Sequence, residues 1–156
     1  MKTTFKIALA LMLSFSLMSS TCSSSDDDGS NNSGNTQAVV DVAQSGSWII
    51  SYYFDTDHEE TDHFTGYTFT FGSNGVLTAV NGGTTVTGTW SVTNSSSSSD
   101  DDGSSDLDFN INFSSPADFA ELSDDWDILQ ISSNQIQLVD VSGGNGGTDY
   151  LTFVKQ

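Results

Sequence analysis

The densest concentration of groups able to do chemistry is Asp55-Thr56-Asp57-His58-Glu59-Glu60-Thr61-Asp62-His63. It holds five carboxylates and both histidines of the chain within nine residues. Carboxylate oxygens suit a hard cation such as Ca²⁺, and imidazole suits Zn²⁺ or Cu²⁺. Asp55, Asp57, His58, Glu59, Asp62 and His63 are therefore the candidate metal ligands. In an extended segment Asp55, Asp57 and Glu59 share a face, whereas histidines five apart meet in no regular element. The EF-hand loop pattern is absent, since neither a Gly at its sixth position nor a Glu at its twelfth occurs. The competing reading is a solvated acidic loop. No cofactor other than Ca²⁺ is expected. No enzyme is expected either: the chain has no Gly-x-Ser-x-Gly elbow and no Gly-rich loop opening a helix, and its single cysteine is at position 22.

The second candidate is a hydrophobic site. Fifteen aromatic residues fall between positions 45 and 156. Inside a small barrel, Trp48, Tyr52, Phe69, Phe71, Trp90 and Phe109 would line a pocket for one small hydrophobic molecule. Tyr52 or Tyr53 would be its polar handle. The same rings, each removing about 150–250 Å² from water, would equally well fill the interior and leave no pocket.

These residues must be positioned by strands. Segments 46–54, 64–71, 76–80, 84–92, 107–113, 126–131, 135–141 and 150–154 are β-branched, aromatic or alternating. The alternation is strict from Leu107 to Phe113, with Leu107, Phe109, Ile111 and Phe113 on one face. Asn74-Gly75, Asn81-Gly82-Gly83, Ser133-Asn134 and 143–147 supply turns. Pro116 to Leu122 predicts one short helix, with Pro at its start and Phe119 and Leu122 three apart. Eight short antiparallel strands make a sandwich or a closed barrel. Short connections favour the up-and-down barrel, which leaves no open edge. The long connections are Asp55–His63 and the Ser/Asp-rich run Asn94–Asp106, which is expected to be disordered.

Ahead of the strands the composition changes. Residues 1–21 read as a secretory signal: Lys2 and Lys6, then a short apolar run from Ile7 to Met18, then Ser19, Ser20 and Thr21. Residues 22–44 read as a cysteine followed by a tether. Positions 23–37 carry no apolar side chain and predict a flexible segment. Positions 38–44 fit one or two helical turns or an extended lead-in. Residues 45–156 form the folded domain. Cys22 has no disulfide partner in the chain. Just after a signal it looks like the lipidated first residue of a bacterial lipoprotein, and Ser23-Ser24-Ser25-Asp26-Asp27-Asp28 resembles the acidic export tag of Bacteroidota surface lipoproteins. Cleavage near Ser20, leaving a free thiol, is the alternative.

A wider resemblance covers residues 45–156. Gly46-Ser47-Trp48 opens the first strand as Gly-x-Trp does in lipocalins. Phe69-Thr70-Phe71-Gly72-Ser73-Asn74-Gly75-Val76, Gly88-Thr89-Trp90, Phe119-Ala120-Glu121-Leu122 and Asp125-Trp126 follow, then Ile136-Gln137-Leu138 and a closing strand to Phe153. This order resembles the lipocalin-like domains of small Bacteroidota lipoproteins. The resemblance implies an eight-stranded lipocalin-like barrel behind a lipid anchor, exported to the outer membrane and exposed at the cell surface, with outer-membrane lipid as its partner through Cys22.

Charge narrows the remaining partners. The chain has 21 Asp plus Glu, three lysines and no arginine, a formal net charge of −18. Loss of residues 1–21 would remove two of those lysines and no carboxylate. Nucleic-acid binding is excluded, because phosphate contacts need cationic side chains. Electrostatic attraction to an anionic membrane is excluded for the same reason. The functions left are binding of a small hydrophobic molecule inside the barrel, or interaction through the outer face and loops of a filled one.

Overall fold

The computed structural model describes residues 31–94, 107–141 and 146–156, with side chains from residue 35 onward. The expected signal 1–21, Cys22 and the Ser/Asp-rich run at 95–106 lie outside the described residues, as do positions 142–145 of the last turn.

Among the described residues nine strands form one antiparallel sheet that closes on itself. They are β1 (Trp48–Asp55), β2 (His58–Glu59), β3 (Thr68–Phe71), β4 (Val76–Asn81), β5 (Thr84–Asn94), β6 (Leu107–Asn112), β7 (Asp124–Ser132), β8 (Gln135–Val141) and β9 (Thr148–Lys155). Strand β2 is a two-residue appendage of β1, so the barrel has eight staves, the expected fold. Closure is asymmetric. On one side β1 pairs with β9 from Trp48–Lys155 to Phe54–Tyr150. On the other it meets β3 only at Trp48–Phe69.

Local chemistry explains the turns. Gly72 N–H donates to the Val76 carbonyl at 2.8 Å and Gly75 N–H to the Gly72 carbonyl at 3.1 Å. Only Gly75 there has positive φ, at 76°. Asn74 stays in ordinary backbone space and offers its side-chain oxygen to Val76 N–H at 3.3 Å. In the next hairpin Asn81 pairs with Thr84, and Gly82, the first central residue, takes φ 56°. Positive φ at that position belongs to the type II′ turn, whose twist matches paired strands.

Three differences from the sequence expectation have physical causes. The first is a helix, α1 (Asn31–Ala43), which occupies positions 31–37 where a flexible tether was expected. Val39 and Ala43 are buried in the core. The Trp48 indole N–H donates to the Ala43 carbonyl at 2.8 Å, satisfying a terminal group that a helix leaves open. Polar residues precede Val39, so the helix owes its place to the barrel rather than to its own composition.

The second difference is at 64–67. Residues Thr61–Phe64 form a 3₁₀ turn, and the strand begins only at Thr68. Phe64 is buried and meets Tyr53, Phe69 and Phe119 edge-on, with centroids 5.5, 6.4 and 5.4 Å apart. Its ring packs beside the short β1–β3 pairing.

The third is a bulge in β1 between Ile50 and Tyr52. Simple alternation would put Tyr52 in phase with Trp48 and Ile50. The extra residue reverses the phase. Tyr53 therefore turns inward, and Tyr52 lies outside, 41% exposed.

The expected short helix is α2 (Ala117–Ala120), which follows Pro116 and buries Phe119. Phe119 packs edge-on against Phe113 at 5.2 Å and Tyr67 at 5.0 Å.

Candidate functional site

Five of the six residues expected to line a pocket are inside the barrel: Trp48, Phe69, Phe71, Trp90 and Phe109 are all buried. They are packed on one another and on Phe153. Phe71 meets Trp90, Phe109 and Phe153 at 5.1, 5.4 and 5.4 Å between centroids, in edge-to-face geometry. Phe69 meets Phe153 at 5.5 Å, and Trp90 stacks with Phe109 at 5.7 Å. These are the separations of rings in a packed core. The sixth, Tyr52, is on the outer face, where its ring lies 6.5 Å from Phe54 and nearly parallel to it. It cannot be the handle of an interior site. Tyr53 is inside, but its hydroxyl already donates to the Glu121 backbone carbonyl at 3.0 Å. Burial, with the charges of Asp55, Asp149, Glu121 and Glu60, pushes its pKa well above the usual tyrosine value.

The indole N–H groups of the interior are likewise satisfied locally. Trp90 donates to the Gly72 carbonyl at 2.9 Å and Trp126 to the Leu122 carbonyl at 3.1 Å. With Trp48 bonded to Ala43, no indole N–H is left to orient a ligand. Two cavities among the described residues lie outside this core. One, ≈ 320 Å³, follows the β1–β3 seam beside Ile50, Phe64, Tyr67 and Gln156. The other, ≈ 210 Å³, lies between α1 and β7, beside Asn35, Val39, Leu107 and Ile128. Both are open clefts rather than enclosed chambers.

The acidic stretch is not one site. Asp55 and His58 face each other across the β1–β2 hairpin, and His58 Nδ1 touches Asp57, with both side chains exposed. Glu59 accepts from Thr61 N–H at 3.2 Å. Thr56, at the hairpin tip, adopts φ 51°, a strained value for a β-branched residue. Asp149 holds it, accepting from Thr56 N–H at 2.7 Å and Thr56 Oγ1 at 3.2 Å. Asp62 sits in the first turn of the 3₁₀ segment. The six expected ligands therefore do not converge, because a tight hairpin and a 3₁₀ turn disperse them in different directions.

His63 alone of the six joins a compact donor group. Its partners are Glu60, three residues earlier, and Glu121, at the C-terminal end of α2. One ligand atom from each lies within 4.8 Å of the others. His63 Nδ1 is 3.8 Å from Glu60 Oε2. That oxygen is buried and has no hydrogen-bond partner. Burial, then the nearby Glu60 charge and its hydrogen bond, raise the Glu121 carboxyl above the usual range. Sequence reasoning had no means of adding Glu121, because nothing local links residue 121 to residue 63. Glu60 stood in the acidic stretch without any feature that singled it out.

A second carboxylate group, Asp124, Asp140 and Asp149, is half-buried on β7, β8 and β9. Asp124 is pushed up to about 6, chiefly by burial, with a side-chain hydrogen bond to Asp125 and the charges of Asp140 and Asp125 adding to it.

No family model matches the chain, and no curated protein does. A solved structure of a DUF4847 family protein from Bacteroides vulgatus is similar over 75% of this chain and 97% of that one, with 20% identity and a TM-score of 0.45.

Proposed function

We propose that the protein is a non-catalytic cell-envelope lipoprotein. In this reading a filled lipocalin-like barrel is a rigid scaffold, and the outer face and acidic loops meet the partner. One observation carries the choice between a carrier and a scaffold: the rings that a ligand would have to displace are already packed on one another around Phe71. A carrier needs an apolar chamber with a few convergent polar groups, whereas here the indole N–H groups and the Tyr53 hydroxyl are spent on backbone carbonyls. Export and lipidation at Cys22 rest on the signal-like start and the acidic run after the cysteine. The net charge of −18 sets the partner's character: neutral or cationic, not anionic.

Native mass spectrometry of the protein from its own host tests the scaffold reading. The expected species is the chain alone, with or without acyl groups and small inorganic ions. A stoichiometric apolar molecule that survives desalting, and is lost when Phe71 is replaced by Trp, would restore the carrier. Fractionation tests the anchor: Cys22→Ser should move the protein out of the membrane fraction, and its persistence there would overturn lipidation.

A further inference from the structure

We propose that Glu60, His63 and Glu121 bind a divalent first-row transition-metal ion of the Zn²⁺ class, clamping the acidic hairpin segment to the end of α2. The donor set is mixed, one imidazole and two carboxylates, with ligand atoms within 4.8 Å of one another. Imidazole with carboxylate selects this class, whereas Ca²⁺ prefers six to eight oxygens.

The donors are carried on backbone that is held independently of any ion. His63 precedes Phe64, whose ring is locked among Tyr53, Phe69 and Phe119. Glu121 is held through its own carbonyl by the Tyr53 hydroxyl at 3.0 Å, and the next residue, Leu122, is buried. Donors on fixed backbone lose little freedom on binding. The His63 side chain is 38% exposed and that of Glu60 26%, so an ion reaches them from solvent.

Two further observations favour a cation at this cluster. Glu60 Oε2 is buried without a hydrogen-bond partner, which is costly for a carboxylate oxygen. His63 Nδ1, 3.8 Å from that oxygen, is beyond hydrogen-bond distance, and no lysine or arginine among the described residues reaches it. The chain has no arginine. Lys155, the lysine among the described residues, sits 5.9 Å from the centre of the Trp48 ring and donates to Ser45 Oγ at 2.9 Å. A bound ion would meet the orphan oxygen directly. Ligand atoms around tetrahedral Zn²⁺, at about 2.0 Å from the metal, stand roughly 3.3 Å apart. The present spread contracts to that by side-chain rotation at His63 and Glu121, both on the exposed side of the cluster.

The test is calorimetric titration of the full chain with ZnCl₂, with melting followed in the same buffer. The expected result is one saturable site per chain and a melting temperature that rises with Zn²⁺, as mass action requires. His63→Ala and Glu121→Gln should each weaken binding at least tenfold, and His58→Ala less than twofold. Circular dichroism checks that each variant folds. Glu121→Gln keeps the backbone carbonyl that Tyr53 uses, so it remains informative even if His63→Ala is unstable. Co²⁺ should give visible d–d bands without the thiolate charge-transfer band that Cys22 would produce. No saturable binding, a Glu121→Gln variant that binds as tightly as the parent, or a His58→Ala loss as large as that of His63→Ala would overturn the site. Ca²⁺ binding as tightly as Zn²⁺ would overturn the assignment to a transition metal.

Discussion

The barrel interior and the Asp55–His63 hairpin segment use the same backbone principle, antiparallel pairing, to opposite ends. Inside, Phe69, Phe71, Trp90, Phe109 and Phe153 exclude water and one another's freedom, so each ring is held by several neighbours. Outside, Asp57 in the turn and His58 and Glu59 on a two-residue strand are exposed to solvent. The interior's residues are individually costly to lose and chemically idle. The hairpin's residues are cheap to lose and chemically able. Where the two regions touch, at Tyr53, Phe64 and Glu121, the core lends its rigidity to reactive groups, and there the one mixed donor cluster among the described residues forms. A functional site on a filled barrel belongs at that boundary rather than inside.

The contrast makes a graded set of expectations. The largest effect is in the core: Phe71→Ala should lower unfolding free energy by about 3–5 kcal/mol, the range for a deleted core ring. Tyr52→Ala, on the outer face of β1, should cost less than about 1 kcal/mol. Urea titrations of both variants check this, and equal losses would refute the bulge that separates inside from outside in β1.

Next comes Gly88, on β5. A Cβ there would lie 2.4 Å from the Asn112 carbonyl oxygen and 2.6 Å from Phe113 Cδ1. Gly88→Ala must therefore push the β6 end of the barrel outward, at about 1–3 kcal/mol. A thermal melt unchanged from the parent would contradict that close approach.

Asp124 has a smaller and oppositely signed effect. Its folded-state value, about 6, lies above the ordinary 3.8. The folded chain thus keeps a proton that the unfolded chain has released, and stability falls as pH rises from about 3.8 through 6. Asp124→Asn should remove that penalty and retain an oxygen for Asp125 N–H, now bonded at 2.9 Å. Because the group is only half-buried and solvent screens its charge, the gain at pH 7 is discounted to less than about 1 kcal/mol. It should vanish below pH 4. Melting curves of parent and variant across pH 4 to 7 measure both features.

The smallest expected change is at the hairpin. His58→Ala breaks only the exposed pair with Asp57, and its effect on unfolding should stay within about 0.5 kcal/mol. A loss above 1 kcal/mol would mean that the hairpin is braced in a way its exposure does not show.

Particular residues show what was legible in advance. Leu107, Phe109 and Ile111 turn inward as their spacing requires, because side-chain direction in a regular strand depends only on parity. Tyr52 could not be placed the same way, since one inserted residue in β1 reverses parity and leaves no composition mark. The helix over Asn31–Ala43 was hidden because its capping partner, Trp48, lies outside it. Phe64 looked like a strand residue, yet three distant rings hold it in a 3₁₀ turn.

By itself, then, the amino-acid order determined most of the strands, the Asn-Gly turns and the acidic character of the chain, because alternation, Asn-Gly chemistry and net charge act locally or additively. Only the tertiary structure decided that the rings fill the barrel, that Tyr52 faces out, and that Glu121 joins His63 and Glu60. Those outcomes depend on closure of the sheet, on one bulge and on contacts between residues about 60 positions apart, and distance in space is not written in spacing along the chain.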